Sequence, residues 1–139
     1  MRTVLGAILC TWLVGCGSNL ATVTGTVTLD GQPLAGSDKM SGTVQFSPEG
    51  GRGATAVGNL DQSGRYHLST GSRVGVLPGK YLVSVSAVEI IPPKIAGEAG
   101  SGRLATPPRY ADAKSSGFTA DVAPGKNIFD YALSSQQNK

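Results

Sequence analysis

The stretch Thr22–Leu29 reads TVTGTVTL and alternates without a break between threonine and a smaller or apolar residue. A period of two with β-branched residues predicts a strand with one buried face, here Val23, Gly25, Val27 and Leu29. Asp30-Gly31 follows at once and predicts a hairpin turn, because both residues tolerate a positive φ. The stretch therefore predicts that the chain begins its folded part as antiparallel β-structure.

Further stretches show the same alternation and are separated by turns rich in glycine and proline. They predict strands at residues 43–47, 54–59, 65–70, 81–88, 118–122 and 128–133. Residues 61–64 predict a type I turn, and Leu77-Pro78-Gly79-Lys80 predicts a type II turn in which Gly79 takes a positive φ. Residues after position 16 show no helical period, so the sequence predicts an all-β, antiparallel, seven-stranded β-sandwich.

The first sixteen residues follow a different pattern. Arg2 precedes an apolar run at residues 4–14, which is shorter than the about 20 residues of a spanning helix and fits a signal peptide. The run ends in Leu13-Val14-Gly15-Cys16, which resembles the lipobox of bacterial lipoproteins. The resemblance implies cleavage after residue 15 and a diacylglycerol thioether on Cys16, usually with a third acyl chain on its amine. The alternative is an uncleaved core segment with Cys16 as a buried thiol.

The predicted organisation follows from this pattern. Residues 1–15 are a signal peptide, 16–21 the lipidated cysteine and a tether, 22–134 the sandwich with a long loop at 89–117, and 135–139 a tail. The tether extends at most about 18 Å, which keeps the domain close to the membrane. Gly17, where inner-membrane lipoproteins of Gram-negative bacteria have Asp, favours the outer membrane by analogy. The predicted location is the cell envelope, lipid-anchored, with the domain in the periplasm or at the cell surface.

Composition narrows the function classes. Charged residues make up 15% of the chain and the net charge is +3, which is too weak and too scattered for a nucleic-acid surface. The two cysteines are Cys10 and Cys16. Cys10 is predicted to leave with the signal peptide and Cys16 to carry lipid. The mature domain then has no thiol for a disulfide, a metal ion or nucleophilic catalysis.

Four motifs resemble the carboxypeptidase regulatory-like domain. They are GTV at 25–27, DGQPL at 30–34, DQSGRY at 61–66 and LPGKYLV at 77–83. The resemblance covers residue 22 to about residue 87 and implies a transthyretin-like, seven-stranded sandwich. Residues 37–42 depart from the family pattern as an insertion. Family members attached to peptidases help folding or binding and carry no catalytic residues, which implies the same here.

The rest of the chain resembles a second group of proteins. The motifs YAD at 110–112, SSG at 115–117 and PGKNIFDY at 124–131 are similar to those of small lipoproteins abundant in planctomycete-type bacteria. These motifs consist of turn and strand chemistry, so they imply a fold and a membrane anchor more than an activity.

No residue pattern predicts a catalytic, metal-binding or cofactor-binding site. His67 is the single histidine and is predicted to point to solvent beside Arg65, whereas a catalytic triad needs partners fixed in space. The aspartates at 61, 112, 121 and 130 lack the dense spacing of a calcium loop. The glycines at 97, 100 and 102 neither follow a strand nor open a helix. The prediction is a protein that is not an enzyme.

The predicted function is a structural or protein-binding role, and the alternative is a carbohydrate-binding module at the cell surface. Sugar sites favour exposed aromatic platforms, and Tyr110 is the one aromatic residue of the mature chain that the strand pattern leaves outside the core. Residues 89–117 show no sustained period, and long loops are either functional or disordered. We therefore expect this loop to bind the partner through Arg103, Arg109 and Tyr110 and to contribute little to folding.

Overall fold

A computed structural model describes residues 19–136 of the chain. The predicted signal peptide, Cys16 and residues 137–139 of the predicted tail lie outside the described residues. The described range forms twelve strands and one short helix, α1 (Pro108–Ala111). The strands are, in chain order, β1 (Thr22–Leu29), β2 (Gln32–Pro33), β3 (Met40–Pro48), β4 (Ala56–Asn59), β5 (Arg65–His67), β6 (Ser69–Thr70), β7 (Arg73–Val74), β8 (Gly79–Ile91), β9 (Ser101–Leu104), β10 (Phe118–Val122), β11 (Lys126–Ile128) and β12 (Tyr131–Leu133). Between residues 19 and 136, no helix has the length and apolar character needed to cross a bilayer.

The smaller sheet is built around β1. One edge of β1 pairs antiparallel with β2 and β5. The other edge pairs parallel with β11 and β12, in the register Thr22↔Lys126 and Val27↔Tyr131. β1 therefore joins the beginning of the folded domain to its end.

The larger sheet has seven strands, all paired antiparallel. Its order is β10-β8-β3-β4-β6-β7, and β9 also pairs with β8. β8 is the longest strand, with 13 residues, and pairs with β3 from Tyr81 to Glu89. A strand of this length pairs with three neighbours, β3, β9 and β10, and is an interior strand of the larger sheet.

The two sheets enclose one apolar core. The residues predicted to face inward on β1, β3 and β8 are buried, among them Val27, Val44 and Val85, except Leu29 at the end of β1, which is half-buried. Phe46 is fully buried, and its ring centroid lies 5.9 Å from those of both Tyr81 and Phe129. These contacts join residues of both sheets. The prediction of an all-β antiparallel sandwich is confirmed, and the parallel pairs of β1 are an addition to it.

The local turn chemistry is confirmed in two places. Asp30 and Gly31 have φ values of 50° and 82°, as a two-residue hairpin requires. The amide of Gly64 donates to the carbonyl of Asp61 at 3.0 Å, which closes the predicted turn. The predicted type II turn at 77–80 is wrong. Gly79 does have a positive φ, but at 152° it starts β8 and lies far from the about 80° of a type II turn.

Two predicted strands are divided in the structure. Residues 65–70 split at Leu68, whose amide donates to the carbonyl of Val23 at 3.0 Å. β5 then belongs to the smaller sheet and β6 to the larger one, so the chain crosses the edge of the sandwich at Leu68. Residues 128–133 split at Phe129 and Asp130, between β11 and β12.

The prediction of a structureless loop at 89–117 is wrong. β8 continues to Ile91, β9 pairs with it in the register Val88↔Leu104, and α1 follows. Thr106 and Ser116 are buried, and Tyr110 is 7% exposed within the core cluster. The expectation that Tyr110 lies outside the core is therefore also wrong. Its ring stacks on that of Phe118 at 5.3 Å, a contact that no local period reveals.

Candidate functional site

The outer face of the smaller sheet carries a cleft with a volume of about 600 Å³. Its walls come from β1, β5, the break between β11 and β12, and the end of β4. The lining residues are Thr24, Gly25, Thr26, Asn59, Asp61, Arg65, Tyr66, His67, Ile128 and Asp130. We call this the outer cleft.

Strand geometry places the side chains of the outer cleft. Residues two apart on a strand share a face, so Arg65 and His67 both point outward while Tyr66 between them is buried. Across the strand pair, Thr24 lies opposite His67 and Thr26 opposite Arg65. The prediction that His67 points to solvent is confirmed. The pattern that buries Tyr66 therefore also presents two basic side chains on the outer face.

The floor of the outer cleft is an interrupted parallel ladder. Regular pairing in this register would have the amide of Thr26 donate to the carbonyl of Phe129. Instead, that amide donates to Oδ1 of Asp130 at 2.8 Å. The carbonyl of Phe129 accepts a hydrogen bond from the Tyr66 hydroxyl at 2.6 Å. The Asp130 carboxylate thus replaces one backbone acceptor and becomes a fixed part of the cleft.

Gly25 permits this interruption. A Cβ atom at residue 25 would lie 1.8 Å from the carbonyl oxygen of Phe129 and 2.8 Å from Cε1 of Tyr66. No side chain fits in that space, which explains a glycine in the middle of a strand. Burial, and then the nearby Tyr131 and Asp130, raise the pKa of Tyr66 well above its ordinary value. Its hydroxyl therefore stays protonated and donates to the carbonyl.

Asp61 contributes a second carboxylate at the rim of the outer cleft. Its Oδ1 accepts hydrogen bonds from the Ser63 hydroxyl at 2.7 Å, the Ser63 amide at 2.8 Å and the Arg65 amide at 3.0 Å. The Ser63 hydroxyl contributes most, followed by the two amides, to a pKa of Asp61 below its ordinary value. The turn that holds Asp61 thus also fixes the start of β5, where Arg65 lies.

The outer cleft combines opposite charges with one apolar side chain. Asp61 and Asp130 supply carboxylates, and Arg65 supplies a guanidinium group. Ile128 is 74% exposed. In residues 19–136, no group of three or more His, Cys, Asp or Glu side chains is placed to hold a metal ion. The arrangement can hold a ligand by hydrogen bonds, charge and one apolar contact.

Two of the residues predicted to bind a partner meet at another place in the fold. The guanidinium group of Arg109 donates to the Tyr110 hydroxyl at 2.8 Å, to the carbonyl of Ser134 at 2.7 Å and to that of Gln136 at 3.0 Å. The Tyr110 hydroxyl in turn accepts from the Ser134 amide at 3.1 Å. We call this arrangement the C-terminal clamp, because it fastens the chain after β12.

The electrostatics of the C-terminal clamp follow from these contacts. Cζ of Arg109 lies 4.5 Å from the ring centroid of Tyr110. Burial raises the pKa of Tyr110, but the hydrogen bonds from Arg109 and from the Ser134 amide, with the Arg109 charge, outweigh it and bring the pKa below its ordinary value. In this structure, Arg109 and Tyr110 therefore fasten the segment after β12 to α1.

The third predicted residue lies elsewhere. Arg103 is on β9 directly opposite Glu89 on β8, and its guanidinium group donates to that carboxylate at 2.5 Å. Exposed pairs of this kind contribute little stability. The lipidation site Cys16 lies outside the described residues. The residues of the outer cleft were not predicted as a site, and the signals for them are the outward position of Arg65 and His67 and the glycine inside β1.

Comparison with known proteins adds little to this description. No family model matches the chain, and no curated protein matches it. Among solved structures, the chain is similar to a 9R-lipoxygenase from Cyanothece PCC8801, at 13% identity and a TM-score of 0.36. The similarity covers 96% of this chain and 18% of that chain. A likeness at this level carries no argument about fold or function.

Proposed function

We propose that the protein is a lipid-anchored, non-catalytic protein of the cell envelope whose β-sandwich binds a protein partner through the outer cleft. The lipobox-like sequence ending in Cys16 supports the anchor. The observation that carries the binding role is the outer cleft itself. Its volume of about 600 Å³ lies in the range of about 300–1,000 Å³ typical of ligand sites.

The chemistry of the outer cleft favours a polypeptide as its ligand. The carboxylates of Asp61 and Asp130 are held by backbone amides, and Arg65 lies beside them. Ile128 is exposed in the same cleft. A protein segment that carries both charges and an apolar side chain complements this set, since complementary charges give specificity and an apolar contact gives affinity.

The carbohydrate-binding alternative would depend on polar groups alone. Every aromatic ring in residues 19–136 is buried or packed against the core, including the half-buried Phe118 and Phe129. Tyr110, which was predicted to be available as an aromatic platform for a sugar, is held in the C-terminal clamp. This arrangement favours a protein over a sugar as the ligand.

Site-specific crosslinking in intact cells tests the binding role. A photoreactive amino acid at residue 128 probes the outer cleft, and one at Val57 on β4, which is 40% exposed, is the control on the other sheet. We expect a discrete crosslinked species from residue 128 that is lost in Arg65→Glu and kept in Arg52→Glu, an exposed arginine of the loop before β4. The same species from residue 57, or its persistence in Arg65→Glu, would refute the proposed site. A glycan array tests the alternative.

Metabolic labelling tests the anchor separately. Cells grown with a labelled fatty acid should incorporate label into the wild-type protein and not into Cys16→Ser. The wild-type protein should fractionate with membranes. Label that remains on Cys16→Ser would show that Cys16 is not the lipidation site, whatever the outcome of the crosslinking experiment.

A further inference from the structure

The end of the sandwich at which β1 begins carries exposed apolar side chains. Val74 is 63% exposed and Leu77 is 47% exposed. They lie on either side of Val76, whose backbone pairs with that of Ala21. The Ala21 amide donates to the Val76 carbonyl at 2.7 Å, and the Val76 amide donates to the Ala21 carbonyl at 2.8 Å. Arg73 is exposed beside them. We call Arg73, Val74 and Leu77 the anchor-side surface.

The chain reaches this surface directly from the predicted tether. A Cβ atom at Gly75 would lie 2.9 Å from Cβ of Leu20, so Leu20 packs against the strand segment between Val74 and Val76. Ala21 is buried, at 1% exposure. The tether therefore leaves the domain beside the exposed side chains of Val74 and Leu77.

The length of the tether limits how far this end lies from the membrane. Four residues lie between Cys16 and Ala21, and the five residues 17–21, fully extended, span at most about 18 Å. An acylated Cys16 lies at the bilayer surface. The same end of the sandwich also has basic side chains in excess, since Arg73, Lys80 and Lys126 are exposed there against Glu49 and Asp121.

We propose that the anchor-side surface lies on the lipid bilayer, with Val74 and Leu77 in the interfacial region and Arg73 at the headgroup phosphates. This inference rests on the proposed lipid anchor. Apolar side chains next to basic ones are the composition that binds a bilayer interface. The contact orients the sandwich, so that the end bearing Ile91 and the segment after it points away from the membrane.

The opposite end of the domain offers a matched control. Ile95 is 63% exposed, the same as Val74. It follows β8, whose 13 residues span roughly 40 Å at about 3.3 Å per residue. The two positions thus have equal exposure, and Val74 lies beside the start of β1, whereas Ile95 follows the C-terminal end of β8.

Tryptophan fluorescence in vesicles tests the proposal. The single tryptophan of the chain, Trp12, lies in the predicted signal peptide, so each variant of the mature lipidated protein carries one reporter. The variants are V74W, L77W and I95W, in vesicles of phosphatidylethanolamine and phosphatidylglycerol with brominated acyl chains. The contact from the Tyr81 hydroxyl to the carbonyl of Leu77, at 2.7 Å, involves a backbone atom and is kept in L77W. Thermal unfolding verifies that each variant is folded.

We expect the bromolipid to quench V74W and L77W about twofold more than I95W, because interfacial side chains lie about 5–10 Å into the headgroup boundary. Equal quenching of V74W, L77W and I95W by the bromolipid, in protein that is acylated and bound to vesicles, would overturn the proposal. Stronger quenching of I95W would overturn it as well and would place the other end on the membrane. Acylation is measured on each sample by mass spectrometry, so failure of the anchor is distinguished from failure of the surface contact.

Discussion

Replacing Gly25 by alanine tests the interrupted ladder that builds the outer cleft. The added Cβ would lie 1.8 Å from the carbonyl oxygen of Phe129 and 2.7 Å from its carbonyl carbon. Both atoms belong to the backbone, so β11 and β12 must move away from β1. The movement breaks the hydrogen bond of 2.6 Å from the Tyr66 hydroxyl to Phe129. It also strains the bond of 2.8 Å between the Thr26 amide and Asp130.

The expected loss of stability follows from these contacts. Overpacking a well-filled site costs about 1–3 kcal/mol. Leaving a buried polar group without its partner costs about 1–3 kcal/mol. Alanine offsets about 0.5–1 kcal/mol of this by restricting the unfolded chain. The net loss is about 3 kcal/mol, which lowers the melting temperature by roughly 10 °C in a domain of this size.

Thermal unfolding followed by circular dichroism measures this effect. Gly50→Ala is the matched control, because a Cβ at residue 50 meets no atom within 4 Å, and its melting temperature should stay at the wild-type value. Tyr66→Phe should lose part of the same stability, and the double variant Gly25→Ala/Tyr66→Phe should lose less than the sum of the two. A melting temperature of Gly25→Ala equal to that of Gly50→Ala would show that Phe129 does not lie over Gly25.

Three further predictions concern charge and pH. In an alkaline titration followed by tyrosine absorbance, one of the four tyrosines should ionise at a lower pH than an ordinary tyrosine, because the hydrogen bonds and charge of the C-terminal clamp favour its anion and lower its pKa. Tyr110→Phe should remove that phase, and its persistence would contradict the assignment. The lowered pKa of Asp61 contributes stability that is complete above the unfolded pKa of about 3.8 and is lost as the pH falls through the lower folded pKa. Asp61→Ala should therefore weaken the acid dependence of the urea midpoint. An unchanged dependence would exclude Asp61 as its source. Arg109→Ala should lower the free energy of unfolding in urea by about 1–2 kcal/mol, because charged hydrogen bonds are lost. Arg103→Ala should lower it by under about 1 kcal/mol, because only an exposed ion pair is lost. Equal losses would argue against the C-terminal clamp.

The parts of the fold that depend on neighbouring residues were predictable from the sequence. The hairpin at Asp30 and Gly31 is set by the φ preferences of two residues, and the burial of Val27 or Val85 by alternation along one strand. The positive φ of Gly79 was predictable for the same reason. Its exact turn type was not, because pairing of Gly79 with Val122 on β10 draws it into a strand.

Features that join distant residues were not predictable from one sequence. The capping of the Thr26 amide by Asp130 spans 104 residues, and neither residue carries a local sign of it. The stacking of Tyr110 on Phe118 is hidden in a segment whose prolines and glycines interrupt any period. The outer cleft depends on three separate parts of the chain. Gly25 is the exception, because a glycine inside a regular strand indicates a close backbone approach.

The parallel pairing of β1 with β11 and β12 sets the order in which the domain can be completed. The paired residues are far apart in the chain, as Val27 and Tyr131 are. Closing so long a loop costs conformational entropy, and such distant pairings lower the folding rate. Until residues 126–133 are available, one edge of β1 has no partner and Tyr66 has no carbonyl to receive its hydroxyl. Ile128 ends β11 and Asp130 lies between β11 and β12, so the outer cleft is complete only once these strands pair with β1. A chain that is interrupted before residue 126 would thus leave one edge of β1 open to proteases and would lack Ile128 and Asp130 of the outer cleft.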